Sequence, residues 1–142
     1  MFSAGNPPSI LLVEDSEDDA FFFRWAIRKN AIDCHITHIP DGGEALEYLQ
    51  GILEGKKPHP DVIFLDLKLP NATGFDILAW VRTRQFDPPL NFVMLSGSEL
   101  ASDLAQAAEL GVTAYCIKPI SPEALRRHIP APSLKHGARN VA

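Results

Sequence analysis

Four short apolar runs in this chain each stop at a polar residue, and their spacing constrains the fold more than any other feature. Ile10-Leu11-Leu12-Val13 ends in Glu14-Asp15, and Val62-Ile63-Phe64-Leu65 ends in Asp66. Phe92-Val93-Met94-Leu95 ends in Ser96, and Ala114-Tyr115-Cys116-Ile117 ends in Lys118-Pro119. Short β-rich runs bounded by turn signals read as buried strands. Helix-like segments separate them, which implies a parallel sheet, and in such sheets ligands collect at the carboxyl ends of the strands. Lys118 follows Asp66 by 52 residues and Ser96 by 22. Three carboxylates, a hydroxyl and an ammonium delivered to one edge make a site for a metal ion and a phosphoryl group.

Between the runs the pattern is helical. Ser16 is placed to cap a helix running to about Asn30, and Asp19 to complete a capping box. Cys34 to Ile39 alternates like a strand, and Pro40-Asp41-Gly42-Gly43 reads as a turn. The next helix carries Ala45, Leu46, Leu49, Ile52 and Leu53 on one face. Helices are also expected from about Phe75 to Arg84, burying Phe75, Leu78 and Val81, and from about Ser98 to Leu110, with Leu104, Ala107 and Ala108 inward. Gly111 is an αL stop for the latter. A short last helix starts at Pro122 and ends before Pro130. Five βα units imply a doubly wound, five-stranded parallel α/β sheet. Residues 1–8 read as an N-terminal extension, 9–129 as the folded domain and 130–142 as a flexible tail.

At 142 residues the chain makes one domain, large enough to bury roughly 68–70% of its unfolded surface. A net charge of −5 argues against nucleic acid as a partner, which requires a basic face. The first nine residues contain no secretion signal, and no apolar stretch approaches a membrane span, so a cytoplasmic location is expected. Cys34 and Cys116 read as reduced small core residues, consistent with that compartment. His35 and His38, three apart in one strand, point to opposite faces and make no ligand pair. Glu17, Asp18 and Asp19 read as acids that complement the positive end of the first helix and take no part in ligation.

Asp66 alone would read as an Asp that starts a turn. Glu14-Asp15 arriving at the same edge changes that, because packed anions repel by about 4 kcal/mol per pair at an effective dielectric near 20. Such a cluster needs a cation, and hard oxygen ligands with open positions suit Mg2+. The stretches LLVEDSEDDA, VIFLDLKLPNATGFDIL, FVMLSGS and GVTAYCIKP, at these spacings, resemble the receiver domain of two-component response regulators over about residues 9 to 129. The likeness is to stand-alone, chemotaxis-type and phytochrome-associated regulators, with a flavodoxin-like (βα)5 fold.

The resemblance implies that Asp66 is the phosphoacceptor. It implies that Asp15, Asp66 and the backbone carbonyl of Lys68 ligate Mg2+ (or Mn2+), with Glu14 acting through a water. Lys118 would bind a phosphoryl oxygen, across a cis Lys118-Pro119 bond, which proline tolerates. Ser96 matches the switch hydroxyl and Tyr115 the aromatic that rotates once the loop moves, although Tyr115 also suits a plain strand position. Gly97 matches a small-residue position on the donor's path, and Lys68 and Ser98 occupy positions that modulate phosphoryl lifetime. Phosphohistidine must come from a partner, a sensor histidine kinase or a phosphotransfer protein.

With Phe22, Phe23, Ala26 and Ile27 turned to the sheet, Phe21 and Trp25 fall on the outer side of the first helix beside Arg24 and Arg28. They read as anchors for the phosphodonor protein. Two other arrangements fit the same residues: Trp25 folded over Phe21, or a rotated wheel that buries one of them. The leading function is a phosphorylation-dependent switch that binds an unidentified target, rather than an enzyme acting on external substrates. The alternatives are a phosphate sink or relay intermediate, a scaffold with an inactive site, and a nucleotide or flavin enzyme, for which a Gly-rich phosphate loop is missing. The short last helix favours a monomer or weak dimer.

Overall fold

A computed structural model describes residues 5–132 of the chain. Strands β1 (Ser9–Val13), β2 (His35–Ile39), β3 (Val62–Asp66), β4 (Phe92–Ser96) and β5 (Ala114–Ile117) alternate with five helices. These are α1 (Glu17–Lys29), α2 (Gly42–Leu53), α3 (Gly74–Arg82), α4 (Ala101–Glu109) and α5 (Pro122–His128). All pairings are parallel, in the order β2-β1-β3-β4-β5. From β1 the chain first moves outward to β2, then crosses back to β3. The reversal opens a crevice at the carboxyl ends of β1 and β3, where this architecture binds its ligands.

The two-residue period of the strands sorts the core into two layers. Leu11, Val13, Ile63, Leu65, Phe92 and Met94 face α2, α3 and α4, packing on Ala45, Leu49, Ile77, Leu78 and Ala107. Their neighbours Ile10, Leu12, Val62, Phe64, Val93 and Leu95 face α1 and α5, packing on Ala20, Phe23, Ala26, Ile27 and Leu125. Phe23 meets Phe64 edge-on at 4.9 Å, the geometry that aromatic quadrupoles prefer.

Several local expectations change. Gly42 and Gly43 belong to α2, because Asp41 caps it through the Glu44 N–H at 2.9 Å. Helix α4 starts at Ala101 rather than Ser98, and of its expected inward residues only Ala107 is buried. Leu104 is 40% exposed and Ala108 lies in solvent. Phe22, expected against the sheet, is 52% exposed. Gly111 does stop α4 with φ +87°, a conformation open to glycine. Phe75 and Val81 are partly buried beside the fully buried Ile77 and Leu78. Both cysteines are free and half-buried, Cys34 just ahead of β2. Most of the expected tail, from residue 133 on, lies outside the described residues.

Candidate functional site

Parity brings the polar residues together. The Glu14 N–H bonds to Ile39 O at 3.0 Å and the Lys118 N–H to Ser96 O at 2.8 Å, so the strand ladders continue one residue past β1 and β5. Glu14, Asp66 and Lys118 therefore sit in register with the α1/α5 layer, whereas Ser96 and Tyr115 belong to the opposite one. The Lys118 ammonium lies 2.6 Å from Glu14 Oε1, 2.8 Å from Asp19 Oδ2 and 3.1 Å from Asp66 Oδ2. Burial works against its charge, but Asp19, Glu14 and Asp66 outweigh that and hold its pKa above the ordinary lysine value.

Asp19 was not legible as part of this site, and its cap explains why it reaches in. Ser16 Oγ accepts the Asp19 N–H at 3.2 Å, as expected of an N-cap. The reciprocal bond to the Ser16 N–H comes from Glu14 Oε2 at 3.1 Å instead of from Asp19. Glu14 thus takes over half of the capping box and leaves the Asp19 carboxylate free for Lys118.

One carboxylate oxygen from each of Glu14, Asp15 and Asp66 lies within 4.8 Å of the others. Glu14 and Asp66 are buried and Asp15 is exposed. Burial, with the Asp66 charge adding to it, pushes the Glu14 carboxyl up to about 7 against the pull of Lys118. Glu14 Oε1 is buried against the Lys118 ammonium, and its second lone pair suits a donor such as cation-bound water. Three hard carboxylates around an open cleft suit a six-coordinate divalent cation that keeps several waters. Lys68, whose N–H approaches Asp66 Oδ1 at 3.4 Å, lines the same cleft of about 490 Å³, with Ser96, Gly97 and Ser98.

The loop after β3 is clamped at two glycines. A Cβ on Gly74 would stand 2.5 Å from Asp66 O, and one on Gly42 would stand 1.9 Å from Ala72 O. Hydrogen bonds from the Gly74 N–H to Leu67 O and from the Gly42 N–H to Pro70 O close the arrangement. The loop after β4 is organised differently. Ser96 Oγ accepts the Ser98 N–H at 3.1 Å, which leaves the Ser96 hydroxyl hydrogen available to a ligand. Ser98 Oγ donates to Asp103 Oδ2 at 2.5 Å, tying this loop to α4, and Tyr115 Oη donates to Ser98 O at 3.0 Å.

His38 Nε2 donates to Glu14 O at 2.7 Å, a satisfied histidine that steadies the end of β1, while His35 is exposed. The Lys118-Pro119 peptide is cis, as expected, and so is Asp87-Pro88, which the sequence did not suggest. On α1, Phe21 is 56% and Trp25 43% exposed, so neither is buried by rotation of the helix. Phe21 packs edge-on against Phe22 at 5.7 Å, and Lys29 Nζ stands 5.6 Å over the Trp25 ring. Phe22, Lys118 and Pro119 line one small cleft, so the exposed aromatics run up to the site.

Comparison with known proteins agrees with this geometry. The sequence profile of the response regulator receiver domain matches residues 10–130. The chain is 34% identical over 121 residues to response regulator Rcp1 of Synechocystis, covering 83% of this chain and 82% of that protein. It is 32% identical over 129 residues to the probable methanogenesis regulatory protein FilR2 of Methanothrix harundinacea, covering 91% and 83%. The crystal structure of the Mn2+-bound form of Rcp1 superposes with a TM-score of 0.73 at 27% identity, covering 89% of this chain and 100% of that one. The bacteriophytochrome response regulator AtBRR gives 0.73 at 33%, covering 86% and 89%. No helix among the described residues is long and apolar enough to cross a membrane. A receiver domain is a signalling switch rather than an enzyme in the usual sense, and its acidic pocket is of the kind that holds Mg2+ or Mn2+. With its strand order, acidic crevice and cis-proline lysine, this chain belongs to the response regulator receiver domain family.

Proposed function

We propose that this receiver takes a phosphoryl group onto Asp66 from a histidine of a sensor kinase or phosphotransfer protein, and signals by binding a target in its phosphorylated form. The observation that carries the reading is the Lys118 ammonium, 3.1 Å from Asp66 Oδ2, beside the carboxylates of Glu14 and Asp15. An Asp66 oxygen attacks the phosphorus as the P–N bond of phosphohistidine breaks. The electron pair leaves on the imidazole, which takes up a proton, and Asp66 becomes an acyl phosphate. Asp15, Asp66 and the Lys68 carbonyl would hold Mg2+, with Glu14 through a water. Bound there, the ion would supply positive charge that offsets the charge of the transition state. Lys118 holds a phosphoryl oxygen, and the same groups later admit water for hydrolysis.

Ser96 turns its hydroxyl hydrogen to the phosphoryl group and draws the following loop inward. Tyr115, already bonded to that loop at Ser98, carries the movement to the α4–β5 surface, which supports a switch rather than a phosphate sink. Lys68, Gly97 and Ser98 line the path of donor and water and set the lifetime. Phe21 and Trp25 anchor the phosphodonor protein. The two free cysteines suit the cytoplasm, and the acidic balance leaves proteins rather than nucleic acid as partners.

Acetyl phosphate or beryllofluoride with Mg2+ tests the assignment. The wild type should gain one phosphoryl group or its mimic, Asp66→Ala none, and Asp15→Ala should lose metal affinity. Equal labelling of Asp66→Ala, or labelling that survives removal of Mg2+, would sink it.

A further inference from the structure

We infer that Asp19 is the residue that positions Lys118, holding its ammonium over the acceptor while Glu14 and Asp66 serve the cation. This rests on the reading of Lys118 as the phosphoryl-binding lysine. An ammonium has three N–H donors, and here three carboxylates surround it at 2.6, 2.8 and 3.1 Å. Two of these, Glu14 and Asp66, belong to the acidic cluster fitted to a divalent cation, and Asp19 does not. When the cluster is engaged and Asp66 carries a phosphoryl group, Asp19 is the carboxylate left with no second duty.

The local structure is built to spare it. At the third position of α1, Asp19 would ordinarily turn back to bond the Ser16 N–H. Glu14 Oε2 fills that position at 3.1 Å, while Ser16 Oγ takes the Asp19 N–H at 3.2 Å. The helix is capped in both directions without the Asp19 side chain, which reaches across to β5 instead. Its side chain is 38% exposed, and that of Lys118 15%. Asp19 therefore approaches the ammonium from the solvent side, whereas the other two carboxylates are buried beneath it. Without Asp19, the four-carbon lysine stem has the phosphoryl group alone to fix it once the buried carboxylates serve the cation, and its rotamer freedom rises.

The test is a double-mutant cycle in the full chain with beryllofluoride, which mimics the phosphoryl group. Mg2+ affinity is measured separately, without the fluoride. Asp19→Asn, close to the native shape, should weaken beryllofluoride binding about tenfold, the worth of one hydrogen bond to a charged group. It should change Mg2+ affinity by less than about threefold, since a partly exposed charge outside the ligand set acts weakly. Asp19→Glu should recover most of the loss, and the Lys118 side-chain 15N resonance should move in Asp19→Asn and return in Asp19→Glu. In a Lys118→Ala background, Asp19→Asn should have no further effect. Wild-type beryllofluoride affinity in Asp19→Asn overturns the proposal, and so does an equal loss with and without Lys118. If Lys118→Ala alone binds beryllofluoride like wild type, the reading of Lys118 falls and Asp19 falls with it. If Lys118→Ala is impaired and Asp19→Asn is not, only the Asp19 proposal fails.

Discussion

The Tyr115 hydroxyl donates to the Ser98 carbonyl across 3.0 Å, linking the edge strand β5 to the loop that Ser96 begins. Ser98 in turn receives Leu100 and donates to Asp103, so one residue joins the loop, the aromatic and the start of α4. A shift of Ser96 toward a phosphoryl group therefore pulls on three elements at once. Tyr115→Phe removes one neutral hydrogen bond, worth about 0.5–1.5 kcal/mol. The expected result is faster amide exchange in residues 97–100, with unchanged beryllofluoride affinity and a smaller response of α4 and β5 amide shifts. A full wild-type response in Tyr115→Phe would remove this route.

With Glu14 in its proposed role, cation binding should depend on pH. Its carboxyl, at about 7 in the fold against an ordinary 4.5, keeps its proton where exposed acids have lost theirs. A carboxylate that accepts from cation-bound water is favoured in its ionised form beside the ion, so Mg2+ affinity should rise by up to about tenfold per pH unit below about 7 and level off above it. The folding sign is the reverse. Between pH 4.5 and about 7 the folded chain binds the extra proton, so the cation-free protein should lose stability as pH rises through that window. Titration of Mg2+ affinity and thermal melts in Glu14→Gln should show both dependences flattened. A wild-type Mg2+ affinity that is flat from pH 5.5 to 8 contradicts the account.

Two glycines near Asp66 should behave oppositely. Gly74→Ala places a methyl 2.5 Å from the Asp66 carbonyl, backbone that yields only by moving β3. A loss of about 1–3 kcal/mol is expected, together with weaker beryllofluoride binding. Gly97→Ala meets nothing within 4 Å, so stability should stay within about 0.5 kcal/mol. Its methyl would stand in the donor's path proposed above, so labelling by acetyl phosphate should slow. Urea melts and labelling rates on the two variants check this, and equal stabilities would count against the clamp.

The aromatics of α1 should matter only to the protein donor. Replacing Phe21 and Trp25 with polar residues should slow transfer from the cognate kinase and leave acetyl-phosphate labelling intact. Phe22, exposed and next to the Lys118-Pro119 edge, should add to the effect in a triple variant. Kinase transfer at the wild-type rate in a folded double variant places the surface elsewhere.

Helix α5 spans only seven residues, and Pro130 ends its path because proline lacks the N–H donor that a further turn needs. The α4–β5–α5 face is correspondingly small, although Leu100, Leu104 and Ile117 are exposed on it. Sedimentation of the unphosphorylated protein should show a monomer or a weak dimer, and a tight dimer through this face is the contrary result.

The strand runs, their spacing and their polar ends were enough to place Glu14, Asp15, Asp66, Ser96 and Lys118 at one edge. Strand parity is a local property, and a parallel sheet aligns the carboxyl ends wherever the links are short. Helix periodicity decided less. Three consecutive phenylalanines at 21–23 fit more than one rotation of α1, and packing of Phe23 on Phe64 selected the one that leaves Phe22 outside. Likewise Leu104 and Ala107 share a helical face, but only Ala107 meets the sheet, because α4 lies toward its β5 edge. Asp19 carried the sequence signature of a capping acid, and the longer Glu14 took that position. That Asp19 reaches a lysine 99 residues away, while Glu14 both caps the helix and pairs with the same lysine, depends on distances that arise only once α1 is docked on the sheet beside α5.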